Sequence, residues 1–156
     1  MSEAHLGSTT LAQIAFVVHD IEAAAQKWAG ILGVPVPNVI TTQPGNDVQM
    51  TYRGEASNAQ AKLAFFNLGH VQLELIEPIG EGSAWKEGLD KAEGFHHIAF
   101  WVEGMQRSVD FLKSEGIPLV HRGDMGPGQY AYFDACNQLG TMIELLEKTR
   151  ESRAIG

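Results

Sequence analysis

The sequence predicts an α+β fold made of two tandem copies of one unit, because two of its segments occur twice. Residues 12–18 (AQIAFVV) return as residues 96–102 (HHIAFWV), and residues 72–77 (QLELIE) return as residues 142–147 (MIELLE). Repetition of this kind is typical of a duplicated supersecondary unit. In each copy the first segment would open the unit and the second segment would close it.

The first copy, residues 11–78, begins with a strand and a helix. Residues 12–18 form a short apolar run rich in branched and aromatic side chains, which is typical of a buried strand. Asp20 then has the character of a helix N-cap. Apolar residues recur at helical spacing as far as Leu32, and Gly33 ends the helix.

Strands alone complete the first copy. A turn at residues 44–47 separates the first two of them, and Gly69 joins the last two. Two or three strands are expected to follow the helix: residues 62–67 and 71–77 are predicted as strands, and residues 36–41 and 48–52 are the candidates for a third.

The second copy, residues 94–148, follows a linker of residues 79–93 that carries a short helix around residues 85–91. Its order matches that of the first copy, with Val109 and Leu112 on the inward face of the helix. The strand, the helix and the three further strands are predicted at residues 97–102, 105–114, 118–121, 130–134 and 141–147. We therefore expect residues 1–156 to form one domain made of two modules.

Composition and charge point to a small molecule as the partner. The chain has 156 residues, of which 44% are hydrophobic, so it can bury a core of its own. A net charge of −8 argues against nucleic acid or an anionic membrane surface, because both attract clustered Lys and Arg. The polar start does not resemble a signal peptide, and no apolar run approaches the length of a bilayer span. We expect a cytoplasmic protein.

Alternation along the opening and closing strands brings four polar residues to one face. Neighbouring side chains on a strand point to opposite sides of a sheet. Ile14, Phe16, Ile98 and similar apolar residues then share the face that packs under the helices, where His96 would also be buried and hydrogen-bonded. Opposite them stand four side chains that serve as metal ligands or as acids and bases: Gln13, Glu74, His97 and Glu144.

Several segments resemble the vicinal oxygen chelate superfamily, which includes glyoxalase I, extradiol dioxygenases, bleomycin-resistance proteins and methylmalonyl-CoA epimerase. The epimerase branch is the most similar in motif, and the resemblance spans about residues 12–147. It implies two βαβββ modules that curl into a cup of curved sheet with the helices outside. It also places metal ligands at Gln13, Glu74, His97 and Glu144, the set that alternation selects. The segments are residues 65–69 (FFNLG), 74–78 (ELIEP), 94–100 (GFHHIAF) and 143–145 (IEL).

The resemblance implies a divalent metal cofactor, with Mg, Mn, Co, Ni or Zn as the candidates, and a homodimer. The leading hypothesis is a metal-dependent isomerase, epimerase or lyase that acts on a carbonyl compound or acyl thioester through a metal-stabilised enolate. Glu144 and Glu74 would then carry the proton. One alternative is a metal-free protein that sequesters a drug-like molecule, and another is an extradiol dioxygenase.

Two departures from the family pattern concern the chemistry. Gln13 stands where the typical member has His, which weakens the case for iron or zinc. Residues 62–66 contain no Asp or Glu, although the epimerase branch uses a carboxylate base on that strand. Lys62 would replace the base only with a strongly lowered pKa. The expected substrate-binding wall consists of Trp101, Phe66, Tyr130, Tyr132 and Lys62.

Overall fold

A single curved sheet organises the protein. The computed structural model describes residues 5–149. Ten strands in this range form a strongly curled half-barrel in the order β2-β5-β6-β1-β7-β10-β9-β8-β3-β4. The strands are β1 (Leu11–Val17), β2 (Ile40–Thr41), β3 (Thr51–Tyr52), β4 (Glu55–Ala56), β5 (Gln60–Leu68), β6 (Val71–Ile79), β7 (Gly94–Trp101), β8 (Leu119–Met125), β9 (Gly128–Ala135) and β10 (Thr141–Glu147).

The predicted duplication is confirmed at the centre of this sheet. Each opening strand pairs in parallel with the closing strand of its own copy, β1 with β6 and β7 with β10. The two opening strands, β1 and β7, pair with each other in antiparallel orientation. The four strands that carry the candidate ligands are therefore contiguous, and the curvature turns their shared face inward.

Two helices cover the outer face as predicted. α1 (Ile21–Leu32) begins at Asp20, whose side chain accepts a hydrogen bond from the Ala23 N–H, and ends at Gly33 with φ 70°. It packs on a cluster that includes Leu73 and Leu75. α3 (Met105–Ser114) buries Val109 and Leu112 against Ile143 and Leu145. No helix within residues 5–149 is long and apolar enough to cross a bilayer.

The helix of the linker lies on the inner face of the sheet. α2 (Ala84–Lys91) is capped by Ser83, and Ala84 and Trp85 belong to the same buried cluster as Ala15, Ala99 and Tyr132. The helix contacts β1, β6 and β7. The linker therefore closes part of the cup and contributes to its lining. A fourth short helix, α4 (Cys136–Leu139), connects β9 to β10.

The chain between β2 and β5 departs most from the predicted strands. The extended and paired stretches are limited to Ile40–Thr41, Thr51–Tyr52 and Glu55–Ala56, and a 3₁₀ turn occupies Gly45–Val48. β2 pairs with β5, whereas β3 pairs with β8 at the other end of the sheet. Pro35, Pro37 and Pro44 lack the N–H that a regular ladder requires. We call residues 42–57 the crossing segment, because they join the two edges across the cup.

Candidate metal and substrate site

The inner face of the sheet encloses a cavity of about 490 Å³. Gln13, Glu74 and Glu144 line it, together with Tyr130 and Tyr132 of β9. The crossing segment and α2 supply further lining residues, among them Met50 and Trp85. One wall of the cavity therefore carries the candidate ligands, and the other walls include aromatic and apolar side chains.

Three of the four candidate ligands meet on this wall. The Nε2 of His97 lies 3.0 Å from Oε1 of Glu144 and 3.8 Å from Oε1 of Glu74. One ligand atom from each of the three residues lies within 4.8 Å of the other two, and all three side chains are buried. The expected convergence is thus present, because β6, β7 and β10 bring residues from distant parts of the sequence into one layer.

The donor set of this triad fits a divalent cation. Oε1 of Glu74 is buried and has no hydrogen-bond partner among the described residues. Burying a polar oxygen without a partner is costly, so such an atom requires a proton or a ligand. One imidazole and two carboxylates suit the common divalent ions and leave coordination positions open for a substrate.

Burial sets the protonation of the triad. Desolvation raises the pKa of Glu144 to about 8, while a hydrogen bond from Tyr132 opposes part of this shift. Desolvation and then the charge of Glu144 raise the pKa of Glu74 well above its ordinary value. Desolvation lowers the pKa of His97 to about 3, so its imidazole is neutral near pH 7. Without a cation the two carboxyls therefore favour protons, and a cation would favour their ionised forms.

Gln13 lines the same cavity and is nearly buried. Its side-chain Nε2 donates to Oε1 of Gln72 at 3.1 Å, and Gln72 in turn donates to Asn67. With this orientation the amide oxygen of Gln13 is the atom left to face a ligand. The geometry suits a weak fourth oxygen donor.

His96 is buried and hydrogen-bonded as predicted, but it lies on the inner side of the sheet. Ala15 pairs with His97 and Phe16 pairs with Phe95, so His96 is the extra residue of a β-bulge. Its Nδ1 lies 2.7 Å from Nδ1 of His97, and its Nε2 lies 2.9 Å from the carbonyl oxygen of Ala84 in α2. Strict alternation fails at this bulge.

Two tyrosines line the cavity as expected, and each is held by a residue that the sequence analysis did not select. The Nε1–H of Trp85 donates to the hydroxyl of Tyr132 at 2.8 Å. His121, which is fully buried, has its Nε2 3.0 Å from the hydroxyl of Tyr130. Neither Trp85 in the linker nor His121 in β8 forms part of a repeated segment, so neither carried a signal in the sequence.

Phe66 and Lys62 lie on the outer face, which corrects their expected place on the cavity wall. Phe65 pairs with Glu74 across β5 and β6, whereas Phe66 pairs with Leu73. Since Glu74 faces the cavity, Phe65 does too, and Phe66 packs under α1. The Nζ of Lys62 lies 3.5 Å from Oε2 of Glu77, outside the cup.

Trp101 is also absent from the described lining of this cavity. Its ring packs against the inner cluster, and the Nζ of Lys148 lies 5.1 Å from the ring centroid. The tryptophan lines a neighbouring groove together with residues 6–10. Its expected place on the cavity wall is therefore wrong: Trp101 pairs with Leu146, two residues beyond Glu144 along β10, and lines the groove instead.

Two carboxylates that the sequence analysis missed line the cavity. Asp47 comes from the 3₁₀ turn of the crossing segment and Asp124 from β8. Neither lies on the strand where the epimerase pattern has its base. Among the described residues, the lining contains no Lys or Arg.

Comparisons with known proteins agree with this architecture. A family model described as the Glyoxalase/Bleomycin resistance protein/Dioxygenase superfamily matches residues 12–133. The ethylmalonyl-CoA/methylmalonyl-CoA epimerase of Cereibacter sphaeroides is 31% identical over 116 residues, which cover 73% of this chain and 76% of that protein. The human mitochondrial methylmalonyl-CoA epimerase is 31% identical over 109 residues, which cover 69% of this chain and 54% of that protein.

Solved structures share the fold at lower identity. A methylmalonyl-CoA epimerase from Mycobacterium tuberculosis aligns with a TM-score of 0.62 and 21% identity, over 92% of this chain and 91% of that one. A Streptomyces coelicolor methylmalonyl-CoA epimerase in complex with 2-nitronate-propionyl-CoA aligns with a TM-score of 0.64 and 22% identity, over 92% and 99%. The chain therefore belongs to the Glyoxalase/Bleomycin resistance protein/Dioxygenase superfamily, as an enzyme of the glyoxalase-like family with epimerases among its relatives.

Proposed function

We propose that the protein is a metal-dependent epimerase that removes and returns the proton next to the carbonyl of an acyl thioester. The observation that carries this proposal is the triad of Glu74, His97 and Glu144, with the unpartnered Oε1 of Glu74, beside the cavity. Relatives named as epimerases of ethylmalonyl-CoA and methylmalonyl-CoA support the reaction type and the substrate class. They do not favour the dioxygenase or the drug-binding alternative.

The triad and Gln13 would hold the cation, and the remaining lining would orient the substrate. A divalent ion bound there would supply Lewis-acid stabilisation of negative charge on a substrate oxygen. Leu63, Phe65 and Leu146 add apolar surface to the lining, and a less polar surrounding strengthens electrostatic interactions inside the cavity. The residues Tyr130 and Tyr132 line the cavity, and their hydroxyls are candidates for hydrogen bonds to a ligand.

Epimerisation requires one group to accept the proton and one to return it. Glu74 and Glu144 line the cavity beside the proposed cation, and a carboxylate that releases the cation can accept a proton and return it. Asp47 and Asp124 line the cavity from other elements and supply carboxylates where β5 has none. We assign the proton transfer to these four residues, with Glu74 and Glu144 as the principal carriers.

The lining also indicates how an acyl thioester would enter. The absence of Lys and Arg from the described lining, together with Asp47 and Asp124, disfavours phosphate groups inside the cavity. The acyl group and its thioester carbonyl would therefore occupy the cavity, with the phosphates of the carrier outside.

Exchange of the α-proton in D2O tests the proposed function. The metal-loaded protein is incubated with methylmalonyl-CoA or ethylmalonyl-CoA, and the loss of the α-proton signal is followed by NMR. We expect catalysed exchange with Co²⁺ or Mn²⁺ that EDTA abolishes. The variants Glu74→Gln and His97→Ala should lose it, and Lys62→Ala, on the outer face, serves as the control. Exchange that is absent, or that persists unchanged in EDTA, would contradict the proposal.

A further inference from the structure

Two buried histidines, His96 and His121, hydrogen-bond to the first residue of α2, and a third, His97, is linked to it through His96. His96, His97 and His121 each have a pKa lowered to about 3, in each case mainly by desolvation. A neutral imidazole carries one N–H donor and one acceptor nitrogen, and its hydrogen-bond partners decide which nitrogen holds the hydrogen. Backbone groups are useful partners for this purpose, because an amide N–H only donates and a carbonyl oxygen only accepts.

The N–H of Ala84 fixes His121. Ala84 follows the N-cap Ser83, and amides in the first turn of a helix have no partner within the helix. This N–H donates to Nδ1 of His121 at 3.1 Å. The hydrogen of His121 must therefore be on Nε2, which donates to the hydroxyl oxygen of Tyr130 at 3.0 Å. Because that oxygen already accepts, the hydrogen of Tyr130 is left to point into the cavity that the residue lines.

The carbonyl of Ala84 fixes His96 in the same way. It accepts from Nε2 of His96 at 2.9 Å, so Nδ1 of His96 is an acceptor. The facing Nδ1 of His97, 2.7 Å away, must then donate. His97 consequently presents the lone pair of Nε2 to Glu144 and Glu74. This is the state that a metal ligand requires.

Two glycines leave the space in which these rings sit. A Cβ on Gly88 would lie 2.3 Å from Cδ2 of His96 and 2.7 Å from its Nε2. A Cβ on Gly123 would lie 2.6 Å from the hydroxyl of Tyr130. The hydrogen-bond chains through His96 and through His121 therefore both require a glycine, because a side chain at either position would collide with a ring.

We propose that Ala84 is a positioning residue whose backbone N–H and C=O set the tautomers of His121 and His96. Through His96 it presents the Nε2 lone pair of His97 to a cation, and through His121 it directs the hydroxyl hydrogen of Tyr130 toward a ligand oxygen. The role of this arrangement in catalysis rests on the proposed function. The assignment of the tautomers rests only on the hydrogen bonds. The linker helix thus controls both the cation side and the substrate side of the site.

The tautomers are measured directly in the metal-free protein. In ¹⁵N-labelled protein, long-range ¹H–¹⁵N correlation spectra distinguish Nδ1–H from Nε2–H imidazoles. We expect Nε2–H for His96 and His121, and Nδ1–H for His97. The opposite tautomer for any one of the three overturns the proposal. The NMR measurement of the tautomers needs neither substrate nor metal, so its result is independent of the exchange experiment that tests the proposed function.

Ala84→Pro tests the N–H arm without removing the helix. Proline is tolerated at the first helical position, and the extended backbone of Ser83 (ψ 156°) suits a residue that precedes proline. We expect His121 to lose its fixed tautomer while His96 and His97 keep theirs. The control Ala84→Gly retains the N–H, adds no atom at this buried position and should leave all three unchanged. His121 still wholly in the Nε2–H form in the proline variant overturns the proposal.

Gly88→Ala tests the carbonyl arm by displacing the His96 ring. Its matched control is Gly30→Ala in α1, where an added Cβ meets nothing within 4 Å. Loss of an outer partner of a metal-ligating histidine weakens metal binding by about 10- to 100-fold. We expect a Co²⁺ dissociation constant raised by about that factor for Gly88→Ala and unchanged for Gly30→Ala. Equal constants for the two variants overturn this arm. A wild-type protein that binds no Co²⁺ would contradict the proposed function, and the tautomers would still decide the role of Ala84.

Discussion

Single atoms decide the chemistry of the cup. The Oε1 of Glu74 is buried without a partner among the described residues, and it lies 3.8 Å from Nε2 of His97. Gln13 keeps its amide nitrogen bonded to Gln72, which leaves its oxygen for a ligand. A cation would satisfy both oxygens. The weakest donor of this set is the amide of Gln13, which makes it the most informative position to change.

Gln13→His should raise affinity for zinc or nickel by about tenfold or more, because an imidazole binds these ions more strongly than an amide oxygen. Titration against a competing chelator measures the change. Lys62→Ala, on the outer face of the sheet, is a suitable control because it leaves the cavity lining unchanged. Unchanged affinity in a folded Gln13→His protein would mean that this side chain does not reach the ion.

At the scale of the elements, the position of β5 decides which aromatic ring serves the cavity. Phe65 pairs with Glu74 and faces inward, while Phe66 pairs with Leu73 and packs under α1. Adjacent residues of one strand therefore lie in different surroundings, Phe65 at the cavity and Phe66 in the core under α1.

Phe66→Ala should lower the free energy of unfolding by about 3–5 kcal/mol, which is typical of a large aromatic side chain lost from a core. Phe65→Ala should cost less stability, since this ring is only partly buried, and should raise the KM for an acyl thioester. Urea denaturation and steady-state kinetics on both variants measure these effects. The reverse assignment of the two effects would show that the register of β5 is wrong.

The sequence predicts the parts of this fold that repeat. The two opening strands, the two closing strands and both outer helices follow from period and capping residues, and alternation alone places Glu74, His97 and Glu144 on one face. Prediction fails where pairing between distant strands interrupts the local pattern, even inside a repeated segment. A bulge moves His96 inward, and the crossing segment brings Asp47 into the cavity. Both depend on pairing between distant strands, which local patterns do not contain.

At the scale of the whole molecule, duplication allows one chain to build a complete cup. The two copies contribute Glu74 on one side, and His97 and Glu144 on the other, and they meet along β1 and β7. This arrangement buries several ionisable groups, which costs stability when they are charged. Protonation and cation binding are consequently coupled to the stability of the fold.

Stability of the metal-free protein should depend on pH in a defined direction. The raised pKa of Glu144 stabilises the folded state. This stabilisation is fully present below pH 4.5, the ordinary pKa of the group, and is lost as pH rises through about 8. The lowered pKa values of His96, His97 and His121 give a contribution that is present above 6.5 and is lost as pH falls toward about 3.

The increase in Tm caused by Mn²⁺ should therefore be larger at about pH 8 than at about pH 5.5. At the higher pH the two buried carboxyls are ionised at a cost to stability, and a bound cation offsets that cost. Thermal unfolding in EDTA and in Mn²⁺ across this range measures it. Glu144→Gln is the matched variant and should flatten the alkaline decline in EDTA. An increase in Tm that does not change with pH would contradict this coupling.

A homodimer stays a prediction, and one surface favours it. Ile31, Val36 and Ile40 are 70%, 52% and 51% exposed and lie close together in sequence between the end of α1 and the edge strand β2. Exposed apolar patches of this kind favour association. Sedimentation equilibrium at micromolar concentration should give about twice the 17.0 kDa chain mass, and Ile31→Lys with Val36→Lys should lower it. A monomer at every concentration tested would reject the dimer.

Titration of EDTA-treated protein with Mn²⁺, followed by calorimetry, tests the central claim most directly. We expect one ion per chain, with binding lost in His97→Ala and in Glu144→Ala and retained in Lys62→Ala. Binding that survives the loss of His97, or a wild-type protein that takes up no divalent ion, would contradict the assignment of Glu74, His97 and Glu144 as a metal site.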